Sequence, residues 1–113
     1  MNIKISEKIK NASVSLEKYG LNELAWTKEN AINLINSILN DKIAILGGDV
    51  YLLASGNIEP LYDNWYCEKV SFETQNEYFL RSKLEALQYI KNYPVKNDEK
   101  IIFVIVFSDA IYG

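Results

Sequence analysis

The sequence predicts a single α+β domain over residues 1–113, with a small mixed sheet and helices packed mainly on one face. Its 113 residues and 49% apolar content suit one globular domain with a core of its own. Helical and strand periodicities alternate along the chain and give the order α-α-β-β-α-β. In that order a hairpin is followed by a right-handed crossover helix and a last strand.

Two helices are predicted before the first strand. Ser6 caps a helix that runs to Tyr19 and ends at Gly20. Leu21–Trp26 is predicted to be a connector. Thr27 is an N-cap for a second helix, which extends to about Leu39 and carries a broad apolar stripe.

The hairpin is predicted from two strands and a turn. Ile43–Leu53 is an apolar strand, and "ASGN", residues 54–57, is a turn signal. Tyr62–Lys69 is predicted to be the second strand of the hairpin. Pro60 belongs at the edge of that strand or just before it, because proline has no N–H to donate.

The crossover helix and the last strand have clear signals. Thr74 and Glu77 form a capping box that opens a helix to about Tyr93. The inner side of this helix is predicted to carry Phe79, Lys83, Ala86, Leu87 and Ile90. Ile101–Phe107 is apolar on both faces, which indicates a central or covered strand.

Gly47, Gly48 and Asp49 interrupt the first predicted strand. A dinucleotide fingerprint needs a third glycine and a helix directly afterwards, and a P-loop needs Gly-Lys-Ser/Thr; both patterns are missing. The signature of cyclic-dinucleotide synthesising domains is also incomplete. The glycines therefore predict a β-bulge or a close backbone approach, with Asp49 bonded to the N–H groups that the bulge frees. Alternatively, the bulge turns Asp49 and Tyr51 towards a partner.

Composition excludes several kinds of chemistry. The chain has no histidine and a single cysteine, Cys67, so histidine-dependent triads, internal disulfides and ordinary zinc sites are excluded. We expect no cofactor and no metal. The sequence shows neither a secretory signal nor an apolar run of about 20 residues, so we expect a cytoplasmic protein with no membrane contact.

Charge is uneven along the chain. Residues 47–80 contain six acidic side chains and one lysine, whereas the whole chain has a net charge of −3. A nucleic-acid binder would carry a basic patch, so no nucleic-acid partner is expected. The acidic middle favours a basic partner, and an ordinary solvated surface is the alternative.

The segment "YDNWYCEK", residues 62–69, is rich in residues that dominate binding hot spots. Strand alternation places Trp65 and Cys67 in the core and the tyrosines outside. Together with the glycine segment it gives the predicted partner-binding residues, which are Asp49, Tyr51, Tyr62, Asp63, Asn64, Tyr66, Glu68 and Glu73.

Other function classes remain open at this point. Asp49 and Asp63 could form the carboxylate pair of a hydrolase, which would require a set separation in one cleft. A small-molecule binding module would require a deep apolar pocket with convergent polar groups. A protein-binding module or dimeriser would require an exposed apolar patch.

Several segments follow one another in a characteristic order over Gly20–Phe107. These segments are "GLNELAWT", "ILGGDVY", "YDNWYC" and "RSKLEALQYIKNY", followed by the hydrophobic strand. Their order resembles the bacterial immunity proteins of polymorphic toxin systems called immunity protein family 40. The resemblance implies a non-enzymatic protein without a cofactor. It implies that the protein binds a cognate toxin and neutralises it by blocking its active or binding site.

Overall fold

The computed structural model describes residues 3–109 and 111–112. The helices are α1 (Glu7–Asn11), α2 (Lys28–Ser37) and α3 (Gln75–Asn92), with a 3₁₀ turn at Glu17–Tyr19. The strands are β1 (Ile3–Lys4), β2 (Val14–Ser15), β3 (Leu24–Thr27), β4 (Ile45–Ala54), β5 (Asn57–Pro60), β6 (Trp65–Tyr66), β7 (Lys100–Phe107) and β8 (Ile111–Tyr112). The predicted α+β class is confirmed.

The main sheet has the order β2-β3-β7-β4-β5, and β6 also pairs with β4. Each neighbouring pair in this sheet is antiparallel, whereas β1 and β8 form a separate parallel pair. Because β6 and β7 both run antiparallel to β4, they run parallel to each other. The helix α3 therefore connects two parallel strands, as expected of the crossover helix.

The helices cover one face of the main sheet, as predicted. The largest core cluster joins the strand residues Trp26, Ile45, Val50 and Phe103 to apolar residues of α2 and α3. β7 lies between β3 and β4, and its residues 101–105 are buried, which confirms a central strand. The opposite face carries a smaller cluster around Leu16, Ala25, Ile102 and Val104.

The prediction of one helix over Ser6–Tyr19 is wrong. Ser6 does cap α1, since its Oγ accepts a hydrogen bond from the N–H of Ile9 at 3.3 Å, but α1 ends at Asn11. The Ser13 hydroxyl then donates to the carbonyl of Lys10 at 2.6 Å, and Ser15 Oγ accepts from the N–H of Glu17. Such local serine bonds compete with helix continuation.

The predicted connector Leu21–Trp26 is also wrong in part, because β3 begins at Leu24. Ala25 and Trp26 are buried on opposite faces of the sheet, in the two separate core clusters. Thr27 is the N-cap residue of α2, as predicted, although its side chain makes no capping hydrogen bond.

The predicted second hairpin strand, Tyr62–Lys69, is wrong in its position. Ser55 and Gly56 have φ values of +51° and +79° and form a two-residue turn between β4 and β5. Positive φ at both central positions is the type I′ geometry, which places Asn57 directly opposite Ala54. β5 is thus the hairpin partner, and only Trp65–Tyr66 of the predicted segment pairs with β4.

Lys83 links the two main helices from the buried side of α3, where the sequence places it. The side chain is fully buried, and its Nζ donates hydrogen bonds to the carbonyls of Ile38 and Asp41 at the end of α2. Burial lowers the pKa of Lys83, against the opposing charge of Asp41. A cation at a helix C-terminus satisfies carbonyls that have no partner within the helix.

Candidate partner-binding surface

The candidate surface is built where the chain leaves the edge of β4 and returns to it. β5 pairs with residues 51–54 of β4, and the N–H of Leu61 donates to the carbonyl of Val50 at 3.1 Å. Pairing resumes only at Trp65, opposite Gly48. Residues 62–64 therefore form an excursion beside Asp49 and Val50.

Tyr62 shapes this excursion. Its φ is +59°, in the left-handed region that few residues other than glycine adopt. The side chain is 86% exposed, so packing does not offset this conformation. Strained backbone at an exposed aromatic residue is a feature that clusters at functional sites.

Two contacts with α3 and its C-terminal end hold the excursion. The hydroxyl of Tyr93 donates a hydrogen bond to Oδ2 of Asp63 at 2.7 Å. The rings of Trp65 and Tyr89 are stacked, with centroids 4.6 Å apart. Trp65 and Cys67 are buried, as the sequence predicts. The tyrosines outside this core therefore stand on a fixed support.

Two concavities adjoin on this surface, and Asp49 lines both. The first, which we call the tyrosine groove, has a volume of about 200 Å³ and is lined by Asp49, Val50, Tyr51, Pro60, Tyr62, Asp63 and Asn64. The second, which we call the glycine pocket, has a volume of about 160 Å³ and is lined by Leu46, Gly47, Gly48, Asp49, Tyr66 and Val106.

The glycine pair forms a bulge and a close approach, which confirms the structural prediction. The register between β4 and β7 shifts between Ile45 and Gly47, so Leu46 is the extra residue. A Cβ on Gly47 would overlap the backbone carbonyl of Trp65, and a Cβ on Gly48 would overlap the Trp65 ring. β6 can therefore approach β4 only because both positions are glycine.

Asp49 does not bond to the backbone of the bulge, contrary to expectation. Within residues 3–109, no hydrogen bond or ion pair joins its half-buried carboxylate to another group. Burial, with smaller contributions from the charges of Asp49 and Glu23, raises the pKa of Tyr51. The charge of Asp49 thus acts on the phenol of Tyr51, while its carboxylate has no hydrogen-bond or ion-pair partner among residues 3–109.

Asn64 and Asp63 have different surroundings. The side-chain amide of Asn64 donates to the hydroxyl oxygen of Tyr66 at 3.1 Å and so joins the tyrosine groove to the glycine pocket. Burial and the hydrogen bond to Asp63 together raise the pKa of Tyr93 well above its usual range. The Asp63 carboxylate therefore already accepts a hydrogen bond from a phenol, whereas the Asp49 carboxylate accepts none from residues 3–109.

Glu68 and Glu73 are not brought to either concavity. Glu73 forms an ion pair with Arg81, whose Nε lies 2.6 Å from Oε2 of Glu73. This hydrogen bond holds the pKa of Glu73 below its usual range. Arg81 also donates to the backbone carbonyl of Glu68, whose side chain is exposed. Their part in partner binding stays a prediction.

Two kinds of feature are absent from the described residues, 3–109 and 111–112. They contain no cluster of three or more acidic, cysteine or histidine side chains that could hold a metal ion. They also contain no helix that is long and apolar enough to cross a membrane.

Comparison with known proteins decides the family. The family model described as Immunity protein 40 matches residues 15–107, a range that contains both concavities. The chain belongs to the immunity protein 40 family. This confirms the resemblance seen in the sequence. No curated protein and no solved structure matches the chain.

Membership points to toxin neutralisation as the general function. Immunity proteins of polymorphic toxin systems bind a cognate toxin, and such families are generally non-enzymatic. Among the described residues, those that line the two concavities include two carboxylates and three tyrosines, and none of them is basic.

Sequence reasoning missed several residues of this surface. Leu46 and Val106 line the glycine pocket, and Tyr93 holds Asp63. Leu46 and Val106 belong to apolar strand patterns in which exposed and buried positions look alike. Tyr93 follows the last turn of α3, where its contact with the excursion depends on the tertiary fold.

Proposed function

We propose that this immunity protein 40 family member neutralises its cognate toxin by binding it through the tyrosine groove and the glycine pocket. Bound there, it covers the active or binding site of the toxin. The partner face of the toxin is basic in this proposal, because it must complement Asp49 and Asp63.

Tyr62 is the observation that carries the proposal. A left-handed aromatic residue that is 86% exposed costs stability and contributes little packing in the free protein. Tyr66 is 77% exposed on the same surface. Tyrosine offers a large rigid contact area with a polar tip. Burial of this area against a partner would form contacts that the two exposed side chains lack in the free protein.

Rigidity of the support also favours recognition of a protein. The excursion is fixed by the Asp63–Tyr93 hydrogen bond and by the stacking of Trp65 on Tyr89. A pre-organised surface loses less conformational entropy on binding, which increases affinity. The side chains that would contact the toxin are therefore already positioned.

A carboxylate hydrolase has one observation in its favour, since Asp49 and Asp63 line the same groove. However, Asp63 already accepts a hydrogen bond from Tyr93. The groove of about 200 Å³ is also smaller than the ~300–1,000 Å³ of typical ligand pockets. The same comparison weakens the small-molecule alternative, so toxin binding is the better supported function.

The proposal is tested by co-expressing this protein with the product of the neighbouring upstream gene. We expect restored growth and a complex that co-purifies. Hydrogen exchange of that complex should then show new protection at residues 46–51 and 61–67 relative to the free protein. Protection confined to the outer faces of α2 and α3 would contradict the proposed surface.

A further inference from the structure

We infer that the glycine pocket receives an arginine side chain of the toxin, whose guanidinium pairs with Asp49 and stacks on Tyr66. The inference rests on the proposed function and names the chemistry of its central contact. It follows from the apolar side chains, the carboxylate and the tyrosine that line this pocket.

Apolar side chains form part of the pocket wall. Leu46 and Val106 line the pocket and are 40% and 42% exposed in the free protein. An arginine side chain has three methylene groups, which bury readily along apolar surface while the charged head remains at a polar site. The exposed apolar area of Leu46 and Val106 can therefore pack against the methylene groups of an arginine.

Among the described residues, Asp49 is the single charged side chain that lines the pocket. It is half-buried, and it has no hydrogen-bond or ion-pair partner among residues 3–109. A carboxylate in partly desolvated surroundings attracts a cation more strongly than one in bulk water. A guanidinium would supply the missing donors, with two parallel N–H groups directed at the two carboxylate oxygens.

Tyr66 offers a ring to the same cation. Its hydroxyl accepts a hydrogen bond from the Asn64 amide, which orients a side chain that is otherwise 77% exposed. A cation over an aromatic face is attracted by the electron-rich face of the ring, and this attraction is stronger where water is excluded. Asp49 and Tyr66 thus attract a cation by two different interactions in one pocket.

Arginine fits this combination better than lysine. The guanidinium is planar, so it stacks on a ring and forms the two-pronged contact with a carboxylate, whereas an ammonium is a compact and strongly hydrated point charge. The volume of about 160 Å³ is small for a free ligand, and it suits one side chain delivered by a protein surface.

A direct test uses the free protein and a blocked arginine, Nα-acetyl-arginine N-methylamide, with the corresponding blocked lysine as control. We expect saturable nuclear magnetic resonance shifts of the Gly47, Gly48 and Val106 amides in the millimolar range. The response should be about tenfold weaker with lysine and in Asp49→Asn. Equal responses to both probes, or no change in Asp49→Asn, would overturn the inference.

A second test uses the toxin complex and separates the two proposals. If the native protein binds the toxin, Asp49→Asn and Tyr66→Leu should each raise the Kd about tenfold or more, whereas Tyr66→Phe should retain most of the affinity. Native-like affinity in Asp49→Asn and Tyr66→Leu would overturn the arginine contact but leave toxin binding intact. Failure of the native protein to bind the toxin would overturn the proposed function. The titration with blocked arginine would still test whether the glycine pocket binds an arginine side chain.

Discussion

Gly48 of β4 and Trp65 of β6 are cross-strand partners, and the Trp65 ring occupies the space in which a side chain of residue 48 would lie. This pair holds the excursion that carries Tyr62, and it places Tyr66 over the glycine pocket. The surface therefore depends on the lack of a side chain at Gly48 as much as on the side chains around it.

Gly48→Ala should consequently destabilise the protein. The new methyl group would overlap the Trp65 ring and the carbonyl of Val104, and overpacking of this kind costs roughly 1–3 kcal/mol. Urea unfolding measures the loss. In a Trp65→Leu background the same substitution should cost less, because the ring is gone. An unchanged free energy of unfolding in Gly48→Ala would contradict the close approach.

Lys83→Met tests the buried link between α2 and α3. The substitution leaves the carbonyls of Ile38 and Asp41 without the Lys83 donor, which should lower the free energy of unfolding by about 1–3 kcal/mol. Lys91→Met, on the exposed side of α3, is the matched control and should change stability by less than about 0.5 kcal/mol. Equal effects of the two substitutions would show that the buried hydrogen bonds contribute nothing.

The raised pKa of Tyr93 predicts that the protein loses stability at high pH. Burial and the bond to Asp63 raise its pKa in the folded state, whereas an unfolded tyrosine ionises near pH ~10. Above that pH the folded state holds more protons than the unfolded state, so stability falls as pH rises. Unfolding free energies at about pH 9 and 11 should therefore differ less in Tyr93→Phe than in the native protein. An identical pH dependence would exclude this contribution.

Glu68→Lys tests the electrostatic part of toxin binding. The side chain of Glu68 is exposed near Tyr66, so reversing its charge should lower the association rate more than it raises the dissociation rate. Glu29→Lys on α2 makes the same charge change on the helix side and serves as control. Stopped-flow or surface binding measurements at about 0.05 and 0.5 M salt should show the difference at low salt. An association rate that does not depend on salt would contradict electrostatic steering by Glu68.

Strong local signals predicted much of this fold from the sequence. The capping box is present, since Thr74 Oγ1 accepts from the N–H of Glu77 and the Glu77 carboxylate accepts from the N–H of Thr74. The run Ile101–Phe107 lies in the central strand because only two covered faces accommodate so many apolar residues. Both features depend on residues close together in the chain.

The errors arose where short segments join distant partners. The apolar spacing of Ile9 and Leu16 suits one helix, yet these residues belong to different core clusters once Ser13 and Ser15 interrupt the chain. β5 contains asparagine, glutamate and proline, which disfavour strands, and it forms because the turn at Ser55–Gly56 fixes its register.

The candidate surface was predicted in its residue types but not in its arrangement. Tyr51, Tyr62, Asp63 and Asn64 share one groove with Asp49, although only Trp65–Tyr66 of the predicted hairpin strand pairs with β4. The left-handed conformation of Tyr62 and the contact between Asp63 and Tyr93 depend on tertiary packing.

Growth rescue by a surface variant tests the central claim most directly. Tyr62→Gly/Tyr66→Ala removes both exposed rings and relieves the left-handed strain, so we expect a folded protein of near-native stability that no longer protects cells from the toxin. Leu80→Ala/Leu84→Ala removes two half-exposed apolar side chains from α3 and should protect fully. Full protection by the tyrosine variant, with loss of protection in the leucine variant, would contradict the account and place the toxin on the helical side.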